Sequence, residues 1–505
     1  MKDLLRSRMV KWPKRLAFFT DREALSTRQF EQRVRPYVAA LRSLGIERGD
    51  RVVVIANKSI AATALLFACI EADAIFVPLD PAMPEERMRH ALADCLPSLV
   101  IAIDVGQGRL DGPALLELRE EIAAGEEGES VRWFRPSRAQ RAGALASLDP
   151  GYIMYTSGST GEPKGVYVEL AALESFLHSA VARAGYHEET RFLSFFPLHF
   201  DPALMEIFAP WLSGGSTYLF GTFRFVTDLV GQLGTHRITD FSCTPSVVSM
   251  MLSKFSRWTP SATPDLRSIW FGGEKANPRH VAAMRASMPS LRLFNGYGPT
   301  EAVVACSLHE VGETIAADIP IGTPMTGSSF RLVDAALVPV PDGTEGELLL
   351  GGEQLMRGYF GSLRAGDLLD GFVVLEGERL YRTGDRVVFR DGEYHFLGRL
   401  STMIKRRGYR LFPEEVERAL CRADSVVAAC VIYDETRDRL CGHVEIHTSA
   451  TSEDTELMRE RLLLDVARSL PSYMVPDELN FSSELPRTSG GKIDVRSLRN
   501  LTEGP

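Results

Sequence analysis

Three short apolar runs, at residues 51–56, 74–79 and 99–103, alternate with helix-like segments at 59–69 and 84–94. Strand and helix in alternation predict an α/β protein with a largely parallel sheet, because parallel neighbours need a crossover between them. The chain has 505 residues, more than one hydrophobic core usually organises, so two or more domains are expected. Between 104 and 148 the pattern weakens into Gly, Arg, Glu and Ala, which reads as a variable surface region. After 340, Pro341-Asp342-Gly343 and Asp391-Gly392 are turn signals between short strands, predicting a β-rich subdomain of hairpins. From Pro413 onward a helix (414–421), strands (425–433 and 441–447) and a second helix (453–470) predict a compact α+β unit. The expected architecture is a large N-terminal domain, 1–399, of parallel-type sheets with helices plus the β-rich subdomain. A small α+β C-terminal domain, 400–505, completes it.

Composition narrows the function classes. A hydrophobic share of 45% is ordinary for a globular protein, and a formal net charge of −9 argues against nucleic acid as a partner. The apolar run 61–79 is broken by Glu71 and Asp73, too early for a membrane span of about twenty residues. The N-terminus lacks the apolar stretch of a signal peptide, so the cytoplasm is the expected location and no membrane contact is expected. Seven cysteines without a C-x-x-C pair predict small buried hydrophobes, with neither a disulfide framework nor a zinc site.

The stretch Tyr155-Thr156-Ser157-Gly158-Ser159-Thr160-Gly161-Glu162-Pro163-Lys164-Gly165 follows a strand-like run, 151–155. Glycines let backbone amides approach an anion, Ser and Thr hydroxyls donate, and Lys164 adds a mobile positive charge, which together suit phosphate. It is not a Walker loop, whose pattern is G-x-x-x-x-G-K-[ST]. A loop at a strand end is where nucleotide sites gather in α/β folds.

Further motifs follow in order: Asn295-Gly296-Tyr297-Gly298-Pro299-Thr300-Glu301, Tyr381-Arg382-Thr383-Gly384-Asp385, Gly398-Arg399, Leu470-Pro471-Ser472-Tyr473-Met474-Val475-Pro476 and Thr488-Ser489-Gly490-Gly491-Lys492-Ile493-Asp494. With the phosphate loop, they make the chain resemble the AMP-forming adenylate-forming enzymes. These are the amino-acid adenylation domains of nonribosomal peptide synthesis, their stand-alone relatives including D-alanyl carrier-protein ligases, acyl- and aryl-CoA synthetases, and luciferases. The resemblance runs from Leu25-Ser26-Thr27 to Gly491-Lys492.

It implies ATP and Mg²⁺ as cofactors. By resemblance, Thr156, Ser157, Gly158, Ser159, Thr160 and Gly161 hold the ATP phosphates and Lys164 the departing pyrophosphate. Tyr297 stacks on adenine, Thr300 bonds the α-phosphate, Glu301 helps hold the metal, and Asp385 takes the ribose hydroxyls with Arg399 nearby. Such roles suit an aromatic face, a hard carboxylate and a two-oxygen acceptor. Lys492 aligns with the lysine that relieves repulsion between substrate carboxylate and α-phosphate in the transition state.

Asp201 marks the substrate class. Amino-acid-activating members carry an Asp here against the substrate α-ammonium, whereas CoA synthetases generally lack it; on the residues alone, Asp201 capping the next helix is an open alternative. The family's side-chain pocket would fall on Pro202, Met205, Ser242, Ile269, Phe271, Gly296, Val304 and Ala305. No charge appears among these, and Phe271 with Met205 would shorten the pocket. A small amino acid is expected, alanine first, with glycine, serine and proline open.

The resemblance further implies transfer to a phosphopantetheine thiol. Ser401 stands where the family hinge is normally Asp or Lys, and Gly408 would line the thiol tunnel. No carrier-attachment or condensation motif is found, so the expected partner is a separate, stand-alone acyl carrier protein. Lys405, Arg406, Arg407 and Arg410 form a basic cluster that could meet an acidic carrier or be a solvated face. The alternatives are an acyl- or aryl-CoA synthetase and a non-catalytic nucleotide-binding paralogue.

Overall fold

The computed structural model describes residues 1–105, 120–123, 131–135, 148–156, 162–220, 229–254, 258–316, 318–400, 403–423, 425–446, 452–486 and 493–503. Two compact units emerge. One comprises Met1–Pro81, Asp94–Tyr155 and Gly165–Leu400; the other groups Ala82–Ala93 and Thr156–Lys164 with Ser401–Pro505.

The first unit is the expected α/β body. In one nine-stranded sheet the order is Thr323–Pro324, Ser307–Glu310, Arg292–Tyr297, Ser268–Gly272, Asp240–Cys243, Arg191–Ser194, Ser216–Leu219, Leu16–Phe19 and Ala24–Ser26. The six strands from Arg292–Tyr297 to Leu16–Phe19 are parallel, and antiparallel strands close both edges. A second sheet of eight strands is built around Ile75–Leu79, Arg51–Ala56 and Leu99–Ile103, again parallel. Its central strands are buried on both faces, which is why they read as continuous apolar runs rather than as alternation.

The helix Ile60–Glu71 is apolar around most of its circumference, with eleven buried positions from Ile60 to Ile70, and the Ser59 hydroxyl caps it by accepting from Ala62 N at 3.1 Å. It shares one core with Pro202–Ser213 and with side chains from both large sheets. Phe18, Phe30, Phe67 and Trp211 pack ring on ring there, with centroids 4.4 to 5.9 Å apart. Arg8 closes this core from the N-terminal helix Lys2–Lys11. Its five N–H groups donate to Thr27 Oγ1 and to the carbonyls of Pro210, Trp211, Leu16 and Gly215, at 2.7 to 3.1 Å.

The β-rich subdomain is an antiparallel five-stranded sheet of Ser328–Val333, Glu345–Gly352, Glu378–Arg390, Phe372–Leu375 and Glu393–Arg399. Asp391 and Gly392, at φ 53° and 81°, form the two-residue turn that the Asp-Gly pair predicts.

In the second unit, strands Val426–Asp434, Arg439–Ile446 and Glu478–Ser482 form a three-stranded sheet, accompanied by helices Pro413–Leu420 and Ser452–Ser469. The hairpin Ile404–Arg406 to Tyr409–Leu411 turns on Arg407 and Gly408, at φ 51° and 84°, so Gly408 has a backbone reason to be glycine. The hairpin also turns Arg406 inward. It is 1% exposed and donates to Tyr473 O at 3.0 Å and Asp477 Oδ2 at 2.5 Å, while Arg407 pairs with Asp438. Arg406 is therefore a structural ion pair rather than part of a basic face.

Six of the seven cysteines are buried, Cys421 is exposed, and none is joined in a disulfide. Among the described residues, no helix is long and apolar enough to cross a membrane.

Candidate active site

Asp201 is the N-cap residue of the helix Pro202–Ser213, with Pro202 in the first turn, where its missing N–H costs nothing. Its own backbone is already helical, at φ −59° and ψ −30°, and its side chain makes no capping bond. The carboxylate instead accepts the backbone N–H of Val304 at 3.0 Å, and the residue is 7% exposed. Val303 and Val304 both lie in the left-handed region, at φ 54° and 62°. Two consecutive β-branched residues there are strained, and such strain persists where surroundings enforce it, commonly at functional sites.

Strand register sorts the remaining pocket candidates. Ser242 is the Cα partner of Trp270, and Cys243 that of Phe271, while Trp270 partners Phe294 and Gly272 partners Gly296. Partners share a face and neighbours alternate, so Ser242, Trp270 and Gly296 lie on one face, and Ile269 and Phe271 on the other. Packing agrees. Met205, Trp270, Tyr297 and Ala305 belong to the core that contains the helix Pro202–Ser213, whereas Ile269 and Phe271 belong to a separate core with Phe241, Met251 and Met284. A Cβ on Gly296 would lie 2.0 Å from the Trp270 indole nitrogen, so the glycine makes room for the indole. Val304 packs against the helix-side core as well. Trp270 was not singled out from the sequence: in a five-residue strand buried almost throughout, apolar side chains occupy both faces, and only register tells them apart.

Tyr297 ends its strand and donates its hydroxyl to Asp385 Oδ2 at 2.5 Å. Burial, and then the Asp385 charge, push the Tyr297 phenol well above its ordinary pKa, so it stays protonated and available as a donor. Asp385 is 1% exposed, and Arg399, its cross-strand partner, reaches Oδ1 with Nε at 2.8 Å. Thr383, in the same strand as Asp385, donates to Leu348 O at 2.7 Å and accepts from Asp385 N at 2.9 Å. The structure thus brings Tyr297, Asp385 and Arg399 into one cluster from three strands.

Thr300 opens the 3₁₀ turn Thr300–Ala302, and Glu301, 1% exposed, accepts the Tyr359 hydroxyl at 2.9 Å. Among the described residues no group of three or more His, Cys, Asp or Glu could hold a metal. Glu301 by itself fits Mg²⁺, which is held by one or two carboxylates together with substrate phosphates.

Thr156 ends the strand Gly151–Thr156 and Lys164 begins Lys164–Glu169, so the segment expected to hold phosphate runs from one strand end to the start of the next. His90 holds the loop's exit through Pro163 O and Glu162, both at 3.0 Å. Ser157, Gly158, Ser159, Thr160 and Gly161, the hinge candidate Ser401 and Lys492 lie outside the described residues.

Residues 5–360 match the model of the AMP-binding enzymes, and residues 415–492 match that of the AMP-binding enzyme C-terminal domain. An L-proline--[L-prolyl-carrier protein] ligase of Pseudomonas fluorescens is 32% identical over 523 residues, covering 99% of this chain and 100% of that protein. Tyrocidine synthase 3 of Brevibacillus parabrevis is 30% identical across 99% of this chain, which spans only 8% of that far longer protein. The fold is that of the Vibrio cholerae adenylation domain AlmE, solved in complex with glycyl-adenosine-5'-phosphate, at a TM-score of 0.84 and 21% identity, covering 100% of this chain and 98% of that one. The α/β architecture, the order of the motifs and a family match across residues 5–360 lead to one conclusion: the chain belongs to the AMP-binding enzyme family.

Proposed function

We propose that this protein activates a small, uncharged amino acid with ATP, forming an aminoacyl adenylate and releasing pyrophosphate, and then passes the aminoacyl group to the phosphopantetheine thiol of a separate carrier protein. The observation that carries this reading is Asp201: a carboxylate buried at a helix start whose side chain makes no capping bond, with only uncharged residues at the pocket positions that the resemblance assigns. The carboxylate accepts the Val304 N–H at 3.0 Å, and a carboxylate can also take a charge-assisted bond from the α-ammonium of an amino acid. Similarity along the whole of a proline carrier-protein ligase supports both half-reactions.

In this reading Tyr297, Asp385 and Arg399 seat the nucleoside, and Thr300 and Lys164 meet its phosphates. Lys492 supplies the positive charge that lets a carboxylate attack the α-phosphate. Mg²⁺ at Glu301 would neutralise phosphate charge. Residues 1–399 would be the adenylation core and 400–505 its mobile lid, with Ser401 at the hinge and Gly408 by the thiol tunnel.

Alanine is our first choice of substrate. The support for a short pocket comes from Met205 and Trp270, the bulky groups in the core beside the helix that Asp201 begins. Proline, compact as well, is favoured by the similarity to the proline ligase. Hydroxylamine trapping across the amino acids and a set of short and aromatic acids tests the reading. Hydroxamate from alanine or proline supports it; hydroxamate only from acids without an amine refutes it in favour of a CoA synthetase, and none from any acid refutes it in favour of a non-catalytic paralogue.

A further inference from the structure

A carboxylate enclosed by protein lies one residue beyond Met205 and has no part in the chemistry described so far. Glu206 is 0% exposed. Its Oε2 accepts from Ser194 Oγ at 2.9 Å and from Phe196 N at 3.1 Å, and its Oε1 accepts from Ser242 Oγ at 2.5 Å. Lys58, just after the strand Arg51–Ala56, faces the same stretch and donates to Ser194 O, to Ser194 Oγ at 3.0 Å and to Phe196 O at 2.9 Å.

The direction of every proton here is fixed. An ammonium only donates, so Ser194 Oγ must accept from Lys58, and it then gives its single proton to Glu206. Ser242 and the Phe196 amide also donate to Glu206. Burial pushes the Glu206 carboxyl upward in pKa, and the Lys58 charge and then the three donors on its two oxygens work against that rise.

The location gives the arrangement its purpose. Ser194 ends one strand and Ser242 is the last residue but one of its parallel neighbour, Asp240–Cys243, and ligands in α/β sheets bind beyond the carboxyl ends of such strands. Glu206 sits in the second turn of the helix that Asp201 begins, so its three bonds tie that helix to both strand ends.

We propose that Glu206, linked to Lys58 through Ser194, is a positioning residue for the amino-acid site, fixing the helix that carries Asp201 and Met205 against the strand end that carries Ser242. This rests on the amino-acid activation proposed above. Removing one charge strands its partner, whereas removing both leaves a neutral, tolerable core.

The test is steady-state pyrophosphate exchange with amino acid and ATP varied in turn, on the wild type, Glu206→Gln, Ser194→Ala and the double variant Lys58→Met/Glu206→Gln. In Glu206→Gln, KM for the amino acid should rise about tenfold or more while KM for ATP stays within about twofold, and the double variant should recover most of that loss. If both KM values move together, if neither moves, or if the double variant is no better than Glu206→Gln, the proposal is overturned. Should Glu206→Gln fail to fold, Ser194→Ala keeps both charges and cuts the link between them; the same KM split supports the proposal, and its absence refutes it. The wild type is assayed first on amino acids and on acids lacking an amine. Activity with the latter alone would refute amino-acid activation, while the KM split, measured with that acid, would still decide the role of Glu206.

Discussion

The Asp201 carboxylate holds the backbone N–H of Val304 at 3.0 Å, joining the start of one helix to a strained turn that follows the 3₁₀ turn Thr300–Ala302. A carboxylate has about four lone-pair positions, so this bond leaves capacity for a substrate ammonium. In the proposed function, this one side chain would link the amino-acid and nucleotide halves of the site.

Asp201→Asn separates the two duties, because the amide oxygen can still accept from Val304 while the charge is gone. Loss of a charge-assisted pair worth about 1.5 to 3 kcal/mol should lower kcat/KM for the amino acid by about ten- to a hundredfold. Binding of ATP, followed by equilibrium titration with a nonhydrolysable analogue, should change less than about twofold. A loss of kcat/KM below about threefold would remove the ammonium assignment.

Trp270 and Phe271 make opposite predictions because they lie on opposite faces of one strand. Trp270→Ala should open the helix side and raise exchange with leucine or phenylalanine, relative to alanine, by about tenfold or more. Phe271→Ala should lower thermal stability through a cavity in the other core without changing the order of preference. A reversed outcome in the exchange assay would place the pocket on the Phe271 face.

Arg8→Lys should destabilise the first unit although it preserves the charge. A lysine offers three donors where the guanidinium meets five acceptors, four of them backbone carbonyls. We expect a loss of about 3 kcal/mol or more, read as a lower midpoint in urea denaturation. An unchanged midpoint would show that water replaces the lost bonds.

Lys58 and Glu206 give stability a pH signature. Burial raises the Glu206 carboxyl from 4.5 to about 7, so its contribution is full below pH 4.5 and is lost as pH rises toward 7. Burial lowers Lys58 from 10.5 to about 8, so its contribution is full above pH 10.5 and is lost as pH falls toward 8. The buried Tyr186 and Cys243 also face the Glu206 charge; both are raised, so neither titrates in the acidic arm. Relative to Lys58→Met/Glu206→Gln, the wild type should therefore lose stability between about pH 4.5 and 7 and regain it between about 8 and 10.5. Denaturation midpoints across that range measure it, and a flat difference would show that the pair does not titrate on folding.

Legibility in the sequence followed the range of the interaction. The strand Arg51–Ala56, the helix Ile60–Glu71 and the turn at Asp391 and Gly392 were readable because periodicity and turn chemistry are local. The α/β class and the family followed from alternation and from ordered motifs. Facing was not readable in short strands buried on both sides: Trp270 and Phe271 look equivalent until Ser242 and Gly296 take their places in register. Arg406 read as surface charge because its partner, Asp477, is supplied by a distant segment. Nothing in the sequence marks Glu206 for the same reason, since Lys58, Ser194 and Ser242 come from three separate strands or strand ends.

The most direct measurement is ATP–pyrophosphate exchange with alanine and propionate side by side, with proline and benzoate in the same assay. Alanine and propionate differ only in the amine. Exchange with alanine or proline at least about tenfold above propionate and benzoate is the predicted result, as a buried ammonium–carboxylate pair requires. Equal or stronger exchange with propionate or benzoate would contradict amino-acid activation.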